Sequence, residues 1–527
     1  MTRATGGPGD RVVVVGAGNA ALCAALAARE QGADVCVLEW APVQERGGNS
    51  AYAGGLMRVA YDSVEDLNKL MPDLTERELT SADFGRYPAD QLYEDIARLG
   101  EYQGDPELLD LVATRSLDTL LWMRSMGVRF IPAYGHQAFE IDGQFVFWGG
   151  LAVEVSGGGR GLVDGLLRAA EVRNIAVHYR TRAMSLMQQN GRITGVRALA
   201  DGEPVEYPAD AVILGCGGFE ANAQWRAQHL GAGWDLAKVR GTRFNFGDGI
   251  RMAMEAGAQP YGHWSGCHAV GWDRNAPATG DLAVGDGFQK HSYPFGIMVN
   301  ARGERFLDEG AHFRNYTYAE YGRRILMQPG RFAWQIFDRK VLHLLRDEYR
   351  IRQVTKVTAD SLEELAGQLD GVDPGGFLRT VREFNAAVTE SRPFNPAALD
   401  GRGTEGISPP KSNWANRLDE PPFEAYAVTC GITFTFGGLR VDGSARVLDC
   451  SGEPMRGLYA CGELVGGIFF VNYPGGSGLT AGAVLGRIAG TAATSNRTAA
   501  SSAVDGVSAH ENAAACPAGV PRSEVQQ

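Results

Sequence analysis

The chain has 527 residues, of which 44% are hydrophobic and 21% charged, and its formal net charge is −12. This composition is typical of a soluble globular protein with more than one domain, and the negative balance argues against nucleic acid or an anionic membrane surface as the main partner. The eight cysteines include no CxxC spacing, and no charged leader followed by a long apolar run opens the chain. We therefore expect no iron–sulfur cluster, zinc ribbon or c-type haem, and we predict a cytoplasmic protein without direct membrane insertion.

The first predicted elements form a complete βαβ unit. After a flexible leader at 1–9, the run RVVVVGAGNAALCAALAAREQGADVCVLE has the pattern of a strand, a tight turn, a helix and a strand. Further strands are predicted at IAVHYRTRAMSL, AVILGCGGF and AYAVTCGITFTFGGLRVD, and helices at SLEELAGQL and FLRTVREFNAAV. We predict an α/β fold with a Rossmann-like dinucleotide-binding domain in two parts, 10–263 and 416–496. An inserted α+β capping domain at 264–415 and a disordered tail at 497–527 complete the prediction.

The turn GAGNAA, which begins at Gly16, lies between the first strand and the first helix. Gly16 permits the tight turn, and Gly18 lets the backbone approach a pyrophosphate. The diphosphate would then lie on the free N–H groups of the helix start, at Asn19 and Ala20. Glu39, at the end of the second strand, is placed to accept hydrogen bonds from ribose hydroxyls. The combination predicts a dinucleotide cofactor.

A second glycine-rich run, RGGNSAYAGG, decides between NAD and FAD. Its small residues would let a bulky ring lie against the backbone, for which an NAD enzyme has no evident need; the alternative is a surface glycine loop. We predict FAD, and hence a Rossmann-like FAD-binding domain. The residues of this run assigned to the cofactor are Gly47, Gly48, Asn49, Ser50, Gly54 and Gly55.

Over residues 10 to 495 the chain resembles the fumarate reductase/succinate dehydrogenase flavoprotein superfamily. The shared runs are VVGAGNAA, RGGNSAYAGG, VILGCGGF, GDG, VNARGERFLDE and GLYACGELVGG followed by GGSGLTAG. Within the superfamily, GGNSAYAGG, DEGAHFRNYTYAEYG, FAWQIFD and NYPGGSGLTAGAVLGRIAG are most similar to the FAD-dependent tricarballylate dehydrogenase branch. The resemblance implies an FAD-dependent oxidoreductase acting on CH–CH groups.

The resemblance also assigns further residues to the cofactor. It places Glu463 at the ribose region of FAD, and it makes Ser477 the first residue of a helix whose N-terminal amides point at the flavin N1/C2 carbonyl, where reduction places negative charge. No histidine lies between Arg46 and Gly55, where membrane-bound relatives tether FAD covalently, so we predict noncovalent FAD. The remaining residues implied for the pocket are Gly478, Leu479, Ala183, Gly217, Gly218 and Asp248.

The implied reaction removes a proton next to a carboxylate and a hydride from the adjacent carbon. By resemblance Arg314 transfers the proton, and because an isolated arginine is a poor base, the role requires a relay for which His312 is the candidate. A carboxylate-clamping or surface arginine is the alternative for Arg314. His268 occupies the place of the substrate-binding histidine of the superfamily, and a satisfied core histidine is its alternative.

Both anchors for a C4 dicarboxylate are missing from the sequence. Where fumarate reductases carry a histidine before GG and an arginine before the last glycine loop, this chain has CGITFTFGG and Tyr473. Fumarate and succinate are therefore not expected as substrates. Tyr473 can hydrogen-bond a carboxylate, polarise a ketone as in the similar 3-ketosteroid dehydrogenases, or pack beside the flavin. Arg160, in the turn SGGGRGL, is interpreted as a solvated loop arginine.

Three functions stay open at this point. The first is desaturation of a polycarboxylate, tricarballylate to cis-aconitate by resemblance; the second is desaturation or reduction of a cyclic ketone or other secondary metabolite. The third is a non-catalytic flavin electron carrier, against which the inserted lid-like domain argues. The expected partners are a small-molecule carboxylate substrate and a separate iron–sulfur or membrane-bound electron acceptor, and no metal site is predicted.

Overall fold

The structure, a computed structural model, describes residues 10–494. The predicted leader at 1–9 and the predicted disordered tail at 497–527 lie outside the described residues. The strands of the described part are β1 (Arg11–Val15), β2 (Asp34–Leu38), β3 (Ala82–Asp83), β4 (Phe130–Pro132), β5 (Ala138–Ile141), β6 (Gln144–Phe147), β7 (Val153–Val155), β8 (Ala176–His178), β9 (Thr181–Gln189), β10 (Arg192–Ala200), β11 (Glu203–Pro208), β12 (Ala211–Leu214), β13 (Lys238–Val239), β14 (Pro260–Asp273), β15 (Ile297–Val299), β16 (Phe332–Phe337), β17 (Lys356–Ala359), β18 (Phe423–Leu439), β19 (Arg446–Leu448) and β20 (Pro454–Ala460).

The α-helices separate these strands along the chain. Within residues 10–494, none of them combines the length and the apolar character that crossing a bilayer requires. The helices are α1 (Asn19–Glu30), α2 (Val64–Leu70), α3 (Glu76–Ser81), α4 (Ala89–Leu99), α5 (Pro106–Ser125), α6 (Tyr134–Gln137), α7 (Gly158–Val172), α8 (Ala223–Trp225), α9 (Asp248–Glu255), α10 (Tyr318–Leu326), α11 (Leu362–Gln368), α12 (Pro374–Ala387) and α13 (Ser477–Ala492).

The larger sheet has nine strands and carries the predicted βαβ unit. Its order is β11-β10-β20-β12-β1-β2-β8, with β19 beside β20 and β9 beside β10. The strand β1 is parallel to both of its neighbours, with Val13 opposite Cys36 on β2 and Val212 on β12. Its valines are buried, as expected for a central parallel strand that is covered on both faces. The predicted Rossmann-like α/β fold is confirmed.

A second sheet of six strands belongs to the region predicted as the cap. It runs β13-β18-β16-β15, with β14 and β17 also paired to the long strand β18. Because β13 and β14 begin before residue 264 and β18 lies after residue 415, this sheet extends past both predicted domain boundaries. The boundaries themselves stay predictions. Two small sheets, β3-β6-β5 and β4-β7, complete the fold.

The helix α13 packs directly on α1, although the two are more than 440 residues apart in the chain. Glycines make this close approach possible, because a Cβ atom at Gly490 would lie 2.9 Å from the Ala27 side chain and would overlap the Ala24 backbone. At the start of both helices, the Asn19 amide donates a hydrogen bond of 2.8 Å to the Leu479 carbonyl. The early and the late glycine-rich turns are therefore brought to one place.

Candidate cofactor and active site

Two adjoining cavities form one continuous groove across the FAD-type domain. The first lies along the carboxyl ends of β1 and β2, and the second extends from the start of α13 towards the second sheet. We call them the dinucleotide half and the reaction half. Both halves are lined by six residues that form their junction: Asn19, Ala20, Asn49, Ser50, Gly462 and Glu463.

The dinucleotide half has the features that a bound diphosphate requires. Gly16 adopts a φ of 102°, and a Cβ atom there would lie 2.5 Å from the Gly215 carbonyl oxygen. Gly18 supplies no side-chain cap to α1. The Ser50 hydroxyl accepts the Asn19 N–H at 3.1 Å, and the next amides of the first turn face the groove. The predicted residues found in this half are Gly16, Gly18, Asn19, Ala20, Glu39, Gly48, Asn49, Ser50, Ala183, Gly217, Asp248 and Glu463.

Glu39 anchors the loop around the groove as well as lining it. Its carboxylate accepts the Ala17 and Ala41 backbone N–H groups at 2.9 and 2.8 Å. Each oxygen keeps a second lone pair, as acceptance of ribose hydroxyls demands. Burial raises the pKa of Glu39 above its ordinary value. The ribose role stays a prediction that this placement supports.

Asp248 lies at the start of α9, where its carboxylate is held by an arginine that the sequence did not single out. The Arg182 guanidinium donates two hydrogen bonds to Asp248, at 2.8 and 3.1 Å, and its carbon lies 4.0 Å from the centre of the Trp40 ring. The two members of this ion pair, Arg182 and Asp248, line the dinucleotide half. An ion pair between β9 and α9 has no local sequence signal, because 66 residues separate its members.

Two predicted cofactor glycines and Ser477 lie just behind the groove wall rather than on it. A Cβ atom at Gly47 would lie 2.7 Å from the Val163 side chain, and one at Gly218 would overlap the Glu463 carboxylate. Ser477 is the first residue of α13, which has no side-chain cap. Its buried hydroxyl has no hydrogen-bond partner. The start of α13 thus retains donors for an acceptor such as the flavin C2 carbonyl.

Glu220 and Glu463 form a buried pair of carboxyl groups below the junction. Glu220 is fully buried and accepts N–H groups of Asn49 and Asn245 at 2.6 and 2.5 Å. Burial, and then the charge of Glu463, raise the pKa of Glu220 well above its ordinary value. Burial also raises the pKa of Glu463, whose Oε1 accepts the Thr435 N–H at 2.9 Å. Glu220 therefore holds the proton that the two carboxyl groups share.

We expect Glu220→Gln to make the stability of the holoenzyme less dependent on pH. A carboxyl group whose pKa is raised on folding contributes fully below its unfolded pKa, and this contribution is lost as the pH rises through the folded pKa. The wild type should lose up to ~1.4 kcal/mol per pH unit from this group as the pH rises from about 5, just above the ordinary pKa of glutamate. The variant amide makes the same contacts without titrating. Urea unfolding of the holoenzyme across this range measures the slope.

The control for this prediction is Glu203→Gln, which changes an exposed glutamate on β11. It should keep the wild-type slope. Identical slopes for the wild type and for Glu220→Gln would contradict the shared-proton assignment.

The reaction half contains the predicted cofactor residues Gly54, Gly55, Gly478 and Leu479 together with three of the four predicted catalytic side chains. These three are Arg314, His268 and Tyr473. The fourth, His312, is not among the residues that line the cavity; its ring packs edge-on against Tyr316, with 4.9 Å between ring centres. Its relay role stays a prediction. Arg160 is exposed at the start of α7, as expected for a solvated arginine.

Tyr473 is held with its hydroxyl group among donors. The Gly476 N–H donates to the Tyr473 oxygen at 2.8 Å, and Tyr318 is a close neighbour, with 6.2 Å between the two ring centres. Burial, and then Tyr473, raise the pKa of Tyr318 well above its ordinary value, so Tyr318 is a neutral donor. With the Gly476 N–H directed at its oxygen, the phenol proton of Tyr473 is left for an acceptor in the cavity.

His268 lies on β14, beside these two tyrosines. Its ring centre is 4.8 Å from that of Tyr473 and 4.9 Å from that of Tyr318. The side chain is buried, and neither ring nitrogen has a hydrogen-bond partner. Burial, and then the charge of Arg240, lower the pKa of His268 well below its ordinary value. His268 is thus a neutral imidazole available to a ligand, not a satisfied core histidine.

The two arginines that line the reaction half each face a carboxylate. Arg240 is 2.6 Å from the Asp286 carboxylate, and both side chains are nearly buried. Arg314 lies 3.7 Å from the Glu348 carboxylate and donates to the His136 carbonyl. Arg240, Asp286 and Glu348 escaped the sequence analysis because they come from separate loops that only the second sheet brings together.

These observations define the class of protein. A helix start without an N-cap side chain at each end of one groove, with glycine backbone between them, fits a dinucleotide whose diphosphate lies at α1 and whose ring system lies at α13. Residues 11–479 match the family model described as FAD binding domain.

Several known proteins are similar to this chain over most of its length. A fumarate reductase (cytochrome) of Shewanella frigidimarina is 29% identical over 91% of this chain and 76% of its own length. The 4-oxocyclohexanecarboxylate 2-dehydrogenase of Sinomonas cyclohexanicum is 29% identical over 92% of this chain and 93% of its own. The solved 3-ketosteroid delta1-dehydrogenase from Sterolibacterium denitrificans shares the fold, with a TM-score of 0.71 at 22% identity, covering 93% of this chain and all of that one.

The chain belongs to the FAD binding domain family and, within it, to the fumarate reductase/succinate dehydrogenase flavoprotein superfamily. It is an FAD-dependent oxidoreductase that acts on CH–CH groups. The predicted cofactor and enzyme class are confirmed. The tricarballylate branch is not confirmed and stays a prediction.

Proposed function

We propose that the protein is a dehydrogenase of a small cyclic ketone, which it desaturates at the CH–CH bond next to the carbonyl group. The observation that carries this proposal is the Tyr473 phenol, which lines the reaction half of the groove and whose oxygen accepts the Gly476 N–H, so that its proton is free for a ligand. A neutral carbonyl oxygen is the acceptor that such a donor suits, since negative charge develops on that oxygen as the adjacent C–H bond breaks. Noncovalent FAD is part of the proposal.

The walls of the reaction half support an uncharged substrate body. Phe434 and Phe436 belong to the run CGITFTFGG, which has no histidine before GG, and both line the cavity together with Phe469. Phe434 lies 5.2 Å from both His268 and Tyr473 between ring centres. An apolar ring is buried more favourably against these side chains than a chain of carboxylates.

Charge pairing makes the tricarballylate alternative weaker. Its three negative charges would need cations, and Arg240 and Arg314 are the arginines among the described residues lining the reaction half. Both already face carboxylates, those of Asp286 and Glu348. The tricarballylate function is therefore supported by the shared sequence runs alone.

Each side chain of the reaction half has a distinct role in the proposed reaction. Bound FAD would supply the hydride acceptor for the carbon that lies one bond further from the carbonyl group than the deprotonated carbon. Tyr473 donates a hydrogen bond to the carbonyl oxygen and stabilises the charge that forms there. Arg314 takes the proton from the carbon next to the carbonyl group while it passes its own proton to Glu348. Glu348 thereby has the relay role that was predicted for His312. His268 orients the ligand through its free ring nitrogens.

A separate electron acceptor is also part of the proposal. The sequence offers no cluster or haem motif, and a fumarate reductase similar to this chain is named for a cytochrome. The proposal therefore keeps the predicted iron–sulfur or membrane-bound acceptor, with NAD(P) excluded as its replacement.

Anaerobic bleaching of the flavin absorbance tests the substrate class. We expect 4-oxocyclohexanecarboxylate or a 3-ketosteroid to bleach the holoenzyme, whereas tricarballylate and succinate leave it yellow, because only the ketones present a neutral oxygen to Tyr473. Enzyme kept anaerobic without substrate is the control. Bleaching by tricarballylate with none by either ketone would overturn the proposal in favour of the polycarboxylate alternative.

A further inference from the structure

A second, smaller cavity adjoins the reaction half on the side away from α13. His291 and Arg314 line both cavities, so they form the partition between them. Its empty volume is about 300 Å³ with its opening included, against about 1340 Å³ for the reaction half. This space suits a terminal group of a ligand and not a second ring system. Its aromatic walls are Phe139, Trp148, Phe295, Phe313 and Trp414.

Hydrogen-bond donors without partners line this small cavity. Trp148 is 7% exposed, and its indole N–H has no acceptor; the Nη2 of Arg346 and the Nε2 of His291 are likewise buried and unpaired among the described residues. Buried polar groups are nearly always hydrogen-bonded, because an unpaired group loses its hydrogen bonds to water on burial and gains none within the protein. The indole and the guanidinium are donors, and the Ser292 hydroxyl, which also lines the cavity, already accepts the Arg346 backbone N–H at 3.2 Å. The two unpaired donors therefore call for an acceptor from a ligand.

The local charge identifies that acceptor as an anion. Arg314 and Arg346 both neighbour one buried carboxylate, that of Glu348, so one positive charge is left over. Burial, and then the charge of Arg314, lower the pKa of Arg346 to about 9, against the opposing effects of Glu348 and Asp347. The Asp347 side chain is 99% exposed and is screened by water. A single negative charge would balance the cavity.

Arg346 is also fixed in place before any ligand arrives. Its guanidinium carbon lies 4.2 Å above the centre of the Phe139 ring, and its Nη1 donates to the Gly135 carbonyl at 3.0 Å. The unpaired Nη2 is thereby held beside the aromatic walls. A carboxylate can accept from this nitrogen with one oxygen and from the Trp148 indole with the other.

We propose that this cavity is a carboxylate subsite, which binds one terminal carboxylate of the substrate through Arg346 and Trp148. The inference rests on the proposed function, since it places the ketone of the same molecule at Tyr473, across the partition formed by Arg314 and His291. The substrate class is then a cyclic ketone that carries one carboxylate. A dicarboxylate or tricarboxylate would leave charges unbalanced, and a neutral steroid would leave the subsite empty.

The test uses cyclohexanecarboxylate, which has no ketone to react, and its neutral methyl ester as ligands of the FAD-loaded enzyme. The Kd of each is measured from the change in the flavin absorbance spectrum. Arg346→Met should weaken binding of the acid about 10- to 100-fold, the value of a hydrogen bond to a charged group, and should remove the preference of the acid over the ester. Trp148→Phe keeps the ring and should weaken the acid about tenfold.

Arg350→Met is the matched control, because it removes an exposed arginine of the same segment. It should leave both Kd values unchanged. The proposal is overturned if the wild type binds acid and ester equally or fails to bind the acid, or if Arg346→Met and Trp148→Phe both keep the wild-type Kd. Trp148→Phe decides the matter alone if Arg346→Met does not fold. Because no turnover is involved, these outcomes are separate from failure of the ketones to bleach the flavin, which would overturn the proposed function.

Discussion

Tyr473→Phe should lower the rate at which a ketone reduces the flavin about 10²- to 10³-fold, as loss of a donor to a developing oxyanion does. The ring and its packing against Phe434 and Phe469 are kept, so the Kd of the ketone and the FAD spectrum should change little. The effect falls on the rate because the hydrogen bond strengthens as charge forms on the carbonyl oxygen. Single-turnover bleaching under anaerobic conditions, followed at several ketone concentrations, separates the rate from the Kd.

Two further variants make this result specific to the phenol proton of Tyr473. Tyr318→Phe removes the neighbouring phenol, whose ring centre lies 6.2 Å from that of Tyr473. It should slow bleaching by no more than about tenfold, because the Gly476 N–H still holds the Tyr473 oxygen. Tyr293→Phe removes a buried hydroxyl that pairs with Thr317 at 2.6 Å outside the reaction half, and it should leave the bleaching rate unchanged. A Tyr473→Phe enzyme whose bleaching rate stays within about tenfold of the wild-type rate would instead indicate that Tyr473 makes one of several hydrogen bonds to a carboxylate.

Arg58→Met should destabilise the holoenzyme by about 3–5 kcal/mol, because it breaks a buried, charged network. Arg58 has no exposed surface, and its Nε donates to the Gly475 carbonyl at 2.8 Å, in the turn before α13. Its guanidinium carbon lies 5.2 and 5.5 Å from the ring centres of Tyr87 and Tyr316. Both hydroxyls donate to Asp95, at 2.6 and 2.8 Å, so Arg58→Met would leave Arg98, 3.1 Å away, as the cation that faces this carboxylate among the described residues.

The same substitution should weaken FAD binding, since the Arg58 side chain no longer holds the Gly475 carbonyl in the turn that leads into α13. Urea unfolding of the FAD-loaded protein and titration of the apoprotein with FAD measure the two effects. Arg86→Met is the control: it removes an exposed arginine paired with Asp62 and should cost less than about 1 kcal/mol. If Arg58→Met also destabilises the holoenzyme by less than about 1 kcal/mol, the network does not stabilise the turn before α13.

The sequence by itself determined the cofactor half of the molecule. The βαβ unit, its glycine turn and Glu39 lie within 29 consecutive residues, and each follows from local rules: buried valines for β1, a φ of 102° for Gly16, and an acidic residue at the end of β2. Positions in such a unit are set by backbone geometry, which nearby residues specify. The enzyme class was predicted from the ordered set of motifs that the chain shares with the flavoprotein superfamily.

Only the tertiary structure decided what surrounds the substrate. His312 is two residues from Arg314 in the chain yet faces Tyr316, whereas Glu348 reaches Arg314 from a distant loop. Trp148 and Arg346 come from segments almost 200 residues apart and meet only as walls of the small cavity. Burial, charge balance and unpaired donors are properties of an assembled cavity. No spacing along the sequence encodes them, because they arise from contacts between segments whose separation in the chain is arbitrary.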